Sequence, residues 1–75
     1  MPYIAMKAYP KDQPTKELFV ERLNALLLEV WGCPQEAVTI SMEEIAPENW
    51  KERVFKAEIE PQKEKMMILS GKKCY

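Results

Sequence analysis

The stretch from Thr15 to Trp31 constrains the fold more than any other. Phe19, Leu23, Leu26, Leu27, Val30 and Trp31 recur at three- and four-residue steps, while Glu17, Glu21, Arg22 and Asn24 fill the other side. That spacing predicts an amphipathic helix of about seventeen residues whose apolar stripe is core. Pro14 suits its first turn, and Asp12 or Gln13 its N-cap. Gly32 is placed to end it in the left-handed conformation, and Pro34 prevents continuation. Leu28 falls near the polar flank, as a subunit contact or as a simply exposed leucine.

Strand patterns lie on both sides of this helix. From Pro2 to Tyr9, residues Tyr3, Ala5 and Lys7 alternate with Ile4, Met6 and Ala8, as in a strand with one face on a helix. Pro10 and Pro14 break that pattern. From Ala37 to Ile45, Val38, Ile40 and Met42 alternate with Thr39, Ser41 and Glu43, which predicts a second strand. Two strands joined through a helix are parallel, with a right-handed crossover. A sheet of two strands is marginal alone, so pairing with the strands of another copy is the natural remedy.

Beyond Ala46-Pro47-Glu48-Asn49-Trp50, residues Trp50, Val54 and Phe55 recur at helical spacing. They predict a helix over 47–57, with a short strand at 54–57 as the alternative. Pro61 suits the first turn of another short helix running to Met67. Ser70 to Tyr75 reads as a tail, and the alternating lysines and glutamates from Lys51 to Lys65 as a solvated surface.

Seventy-five residues read as a single domain, 1–75, near the size at which one core holds without help. Ordering the chain costs on the order of 100 kcal/mol, and each large buried side chain returns only about 1.5–3 kcal/mol. Self-association is the expected supplement. Eleven basic and twelve acidic side chains leave no electrostatic footprint for nucleic acid. No apolar run is long enough to span a membrane, and no secretory signal pattern opens the chain, so it reads as cytoplasmic. Cys33 and Cys74 have no CxxC spacing and read as reduced thiols, with a disulfide between them as the alternative, since each lies next to a flexible segment.

The chain contains no histidine, so no Ser-His or Cys-His pair is available, and zinc would have to rely on two cysteines and carboxylates. A metal site is therefore not expected. The remaining general bases are carboxylates, lysines, cysteines, tyrosines and the N-terminus. Pro2 follows Met1 directly. Methionine is commonly trimmed before so small a residue, which would leave Pro2 a free secondary amine. An α-amino group has a reference pKa of about 7.7–8.0, and apolar surroundings disfavour its cation, so such an amine is a competent base near neutrality. A methionine left in place makes that nitrogen an amide without useful basicity.

Taken in order, these segments resemble the 4-oxalocrotonate tautomerase family, and most closely its PptA-type subgroup. The likeness rests on Met1-Pro2 opening a strand, Tyr9-Pro10-Lys11 closing it, one long helix, and Val38-Thr39-Ile40-Ser41. It continues through Ile45-Ala46-Pro47-Glu48-Asn49-Trp50, then Val54-Phe55-Lys56-Ala57-Glu58-Ile59 and Pro61. The resemblance implies a tautomerase-like βαβ subunit with short C-terminal helices, whose two-stranded parallel sheet is extended by dimerisation, in a dimer or a trimer of dimers. It implies a cofactor-independent isomerase that moves a proton between oxygen and carbon of a keto or enol acid. Pro2 matches the base, and Trp50 an aromatic position that keeps the site wall apolar.

Lys11 lies close to an arginine that contacts the substrate carboxylate in better-known members. Lysine keeps the charge without the planar fork. A second familiar arginine is Thr39 here, which argues against a dicarboxylate and for a monoacid such as an arylpyruvate. The ending Gly71-Lys72-Lys73-Cys74-Tyr75 also departs from the subgroup's pattern. The alternative reading is a catalytically inactive homo-oligomeric binding or scaffold protein that keeps the fold.

Overall fold

The computed structural model describes residues 1–75, which form two compact units, Met1–Ile45 and Ala46–Tyr75. The first is the expected βαβ unit. Strand β1 (Tyr3–Ala8) leads into helix α1 (Gln13–Leu26), which widens into a π turn (Leu27–Trp31). A 3-10 turn (Gln35–Ala37) then delivers the chain to β2 (Thr39–Glu44). The strands are parallel, with Ile4 opposite Ile40 and Met6 opposite Met42. Those four side chains are half-buried, while Tyr3, Ala5, Thr39 and Ser41 on the other face are exposed. Backbone bonds from Thr39 N to the Pro2 carbonyl (3.2 Å) and from Ile45 N to the Ala8 carbonyl (2.8 Å) extend the pairing at both ends.

Asp12 supplies the N-cap. Its carboxylate accepts the Thr15 N–H at 3.1 Å and the Thr15 hydroxyl at 2.8 and 2.9 Å, satisfying one of the helix's orphan donors. At the other end Gly32 takes φ 78° and its N–H donates to the Leu27 carbonyl at 3.0 Å.

The buried side of α1 is rotated from the expected stripe. Lys16, Val20, Leu23, Asn24, Leu27 and Leu28 are the half-buried positions, a run at helical spacing. Phe19 (43% exposed), Leu26 (52%), Val30 (70%) and Trp31 (71%) face solvent. Two strands are too narrow to cover an apolar arc this wide, so the sheet takes one part of it. Asn24, expected on the polar side, is accommodated by a reciprocal amide pair with Gln35: Asn24 Nδ2 donates to Gln35 Oε1 at 2.9 Å, and Gln35 Nε2 to Asn24 Oδ1 at 2.8 Å. A half-buried amide with both groups paired costs little.

In the second unit, α2 (Pro47–Trp50) continues through wide π-type turns (Lys51–Ile59) into a 3-10 segment (Glu60–Lys65). The helical reading of this region holds over the strand alternative, with Val54 buried at 5% exposure. Pro61 sits in the first turn of the 3-10 segment, which stops at Lys65, short of Met67. The expected tail is instead a small antiparallel hairpin, β3 (Ile68–Leu69) with β4 (Lys72–Lys73). Ser70 and Gly71 turn it with φ of 50° and 85°, the two positive angles a tight two-residue hairpin requires. Strands of two residues are too short to show an alternation, which is why the pattern hid them. No helix is long and apolar enough to cross a membrane.

A side chain added at Gly32 would meet no atom within 4 Å, so substitution there tests backbone conformation alone. Gly32→Ala is expected to lower the unfolding free energy by about 1 kcal/mol in urea titrations at fixed chain concentration, and Gly32→Asn by less.

Candidate active site

Pro2 stands half-buried just ahead of β1, with Met1 beyond it 93% exposed. Its carbonyl accepts the Thr39 N–H, so the two strand starts lie side by side. Thr39, where the family resemblance suggests a second arginine, therefore adjoins Pro2 and offers an exposed, uncharged side chain.

Lys11 lies past the other end of β1. Six strand residues at about 3.3 Å each separate the two ends by roughly 20 Å. One chain thus brings Pro2 and Thr39 together and holds Lys11 apart from both. Trp50 is in the second unit, half-buried at the end of α2.

The Lys11 loop is tied down by a residue that sequence reasoning missed. Glu44, at the end of β2, accepts the Lys11 backbone N–H at 2.9 Å and pairs with the Lys16 ammonium at 3.1 Å, both through Oε2. Glu44 lies opposite Ala8 in the parallel register, and only that register brings it to a loop 33 residues away. The Lys11 N–H, and then Lys16, hold the Glu44 carboxyl below its ordinary value of 4.5. Thr15 does the same for Asp12, below 3.8.

Beside this cluster, between the end of β1 and the first turns of α1, is a hollow of about 160 Å³. Met6, Tyr9, Phe19 and Met42 line it, and Lys11 and Lys16 stand among its walls. A larger, open cleft of about 470 Å³ shares Lys16 and Met42 but is also lined by Glu17 and Glu21, whose charge opposes an anionic ligand. No group of three or more cysteine, aspartate or glutamate side chains is placed to hold a metal ion.

The carboxylate shifts set a pH dependence. Glu44 and Asp12 have depressed values in the fold, so the unfolded chain binds protons first as pH falls. Their contribution is complete above about pH 4.5 and is lost as pH drops through the folded values. Stability is expected to decline on acidification below pH 4.5, and Glu44→Gln to flatten that decline, as read by urea titrations at successive pH values.

No protein-family model matches the chain. It is 31% identical over 72 residues to a probable tautomerase of Xylella fastidiosa (strain 9a5c), spanning 95% of this chain and 88% of that protein. It is 32% identical over 63 residues to tautomerase PptA of Pectobacterium atrosepticum, spanning 81% and 83% of the two chains. With tautomerase PptA of Cronobacter sakazakii it shares 28% identity over 64 residues. A parallel βαβ unit headed by a proline, and close to a third of positions shared along most of both chains, lead to one conclusion: the chain belongs to the tautomerase family, a family of isomerases.

Proposed function

We propose that this chain is a cofactor-independent keto-enol tautomerase for a small 2-keto or 2-hydroxy-enol acid such as an arylpyruvate, with Pro2 as base and then acid once Met1 is removed. The observation that carries this reading is the position of Pro2 at the head of β1 behind a methionine that is 93% exposed, in a chain related to tautomerases. The neutral Pro2 amine takes the enol hydroxyl proton while the electron pair moves through the conjugated system. The resulting ammonium returns a proton to the carbon, and the ring nitrogen ends as it began. In the family pattern an aromatic at the Trp50 position keeps the site wall apolar, and an apolar wall disfavours the cation of such an amine. Lys11 balances negative charge on the substrate.

Because β1 separates Pro2 from Lys11, this mechanism needs a second copy. Strand β1 has β2 on one edge only. Antiparallel pairing of two β1 edges, centred between Ala5 and Met6, would set each Pro2 beside the other chain's Tyr9 and bring Lys11 within reach. Such pairing also makes a four-stranded sheet, and the exposed Leu26, Val30 and Trp31 supply apolar surface for assembly into a dimer or a trimer of dimers. Residues 1–75 act as one functional domain, in the cytoplasm, where the free thiols of Cys33 and Cys74 stay reduced.

Intact-mass spectrometry of the native protein is expected to show the chain without Met1. Phenylenolpyruvate ketonisation by that species is expected to fall about 10²–10⁴-fold in Pro2→Ala, whereas equal rates would remove Pro2 from the mechanism. Sedimentation equilibrium should report a dimer or larger, and a folded monomer at low concentration would contradict the shared site.

A further inference from the structure

Asn24 and Gln35 hold each other through both ends of their amides. A side-chain amide carries an acceptor oxygen and a donor nitrogen, and here each residue gives one bond and takes one, at 2.9 and 2.8 Å. Two such bonds between planar groups fix rotation as well as distance. The pair spans eleven residues, from the half-buried side of α1 to the 3-10 turn, Gln35–Ala37, that feeds β2. The other bonds of that turn are local. Ala37 N donates to the Pro34 carbonyl at 3.0 Å and Val38 N to the Gln35 carbonyl at 3.1 Å. Cys33 Sγ adds a contact of 3.7 Å to the Leu27 carbonyl, and a thiol is a weak donor.

One residue beyond Val38, the Thr39 N–H donates to the Pro2 carbonyl at 3.2 Å. Pro2 stands ahead of the first residue of β1, and the ends of chains fray unless they are tied down. The ties therefore run in series, from α1 through Asn24 and Gln35 to the start of β2, and from Thr39 to Pro2.

We infer that the Asn24–Gln35 pair is a positioning device for the Pro2 amine. It touches no reacting atom. It sets where β2 begins and, through the Thr39 N–H, where Pro2 stands. Displacing a reacting group by about 1 Å can cost about 10²-fold in rate, and an amine at a chain terminus has no preceding strand to limit such a displacement. The inference rests on the reading of Pro2 as the base, and it adds two residues to which that reading assigns no part.

The native full-length protein is compared with Asn24→Ala, with Gln35→Ala and with the exchanged pair Asn24→Gln/Gln35→Asn, which keeps both amides and their combined side-chain length. Amide hydrogen exchange is followed at Thr39 and at Ile45, whose N–H donates to the Ala8 carbonyl at the other end of the sheet. Each single variant is expected to speed exchange at Thr39 by about threefold or more relative to Ile45, whereas a general loss of stability would speed both alike. In phenylenolpyruvate ketonisation, kcat is expected to fall about three- to tenfold at unchanged KM. The exchanged pair should recover both kcat and Thr39 protection.

Equal acceleration at Thr39 and Ile45, no acceleration at Thr39, or an exchanged pair that recovers neither property would each overturn the proposal. So would an unchanged kcat in variants whose Thr39 exchange has quickened, where Pro2→Ala has lost its rate. Should Asn24→Ala not fold, Gln35→Ala decides, because that side chain is exposed. If Pro2→Ala ketonises at the wild-type rate while Thr39 exchange still responds, the reading of Pro2 as the base fails and the tie from Asn24 to Pro2 stands.

Discussion

The parallel pairing of β1 with β2 is the constraint on which the first unit depends. Parallel strands cannot be joined by a tight turn, so the chain must travel back along the sheet, and the returning segment becomes its cover. In this protein a single helix makes that journey, and it covers a single face. The register that sets Ile4 against Ile40 and Met6 against Met42 directs those side chains to α1 and leaves Tyr3, Ala5, Thr39 and Ser41 uncovered. Of the whole chain, only Ile45 and Val54 are buried apolar side chains. A unit that covers one face of a two-stranded sheet reaches little of the burial that ordinarily offsets chain entropy.

The same pairing governs the distribution of chemistry. Both strands start at one end of the sheet and finish at the other, so Pro2 adjoins Thr39 while Lys11 adjoins Glu44. The amino-terminal end carries the candidate base and Thr39, where the family resemblance suggests an arginine. The far end carries Lys11, Lys16, the carboxylates of Asp12 and Glu44, and an apolar hollow. On the proposed reading, a second copy running the opposite way reunites the two halves. Dimerisation is then a requirement of the catalytic geometry as well as of stability.

The Glu44 cluster shows how one carboxylate serves two purposes. By accepting the Lys11 N–H it ties the loop between β1 and α1 to the end of β2, and by pairing with Lys16 it ties the start of α1 to the same strand end. Charge-assisted hydrogen bonds of this kind are stronger than neutral ones. An exposed pair alone contributes little, but here the backbone bond supplies the geometry.

The local features were legible because each depends on neighbours in the chain. The N-cap at Asp12, one of the two residues the order allowed, the stop at Gly32, the strand alternations and the helix over 47–57 were all written in short-range residue order, whereas the candidate roles of Lys11 and Trp50 came from the family resemblance. The two-residue strands of the C-terminal hairpin fell below the length at which alternation shows. Which part of the α1 arc meets the sheet was decided by tertiary packing, since Phe19 and Val20 are equally apolar and only the width and position of two strands select between them. The link from Glu44 to Lys11 was likewise invisible in the linear order, because a carboxylate 33 residues away reaches that amide only after the parallel register has brought the two strand ends level.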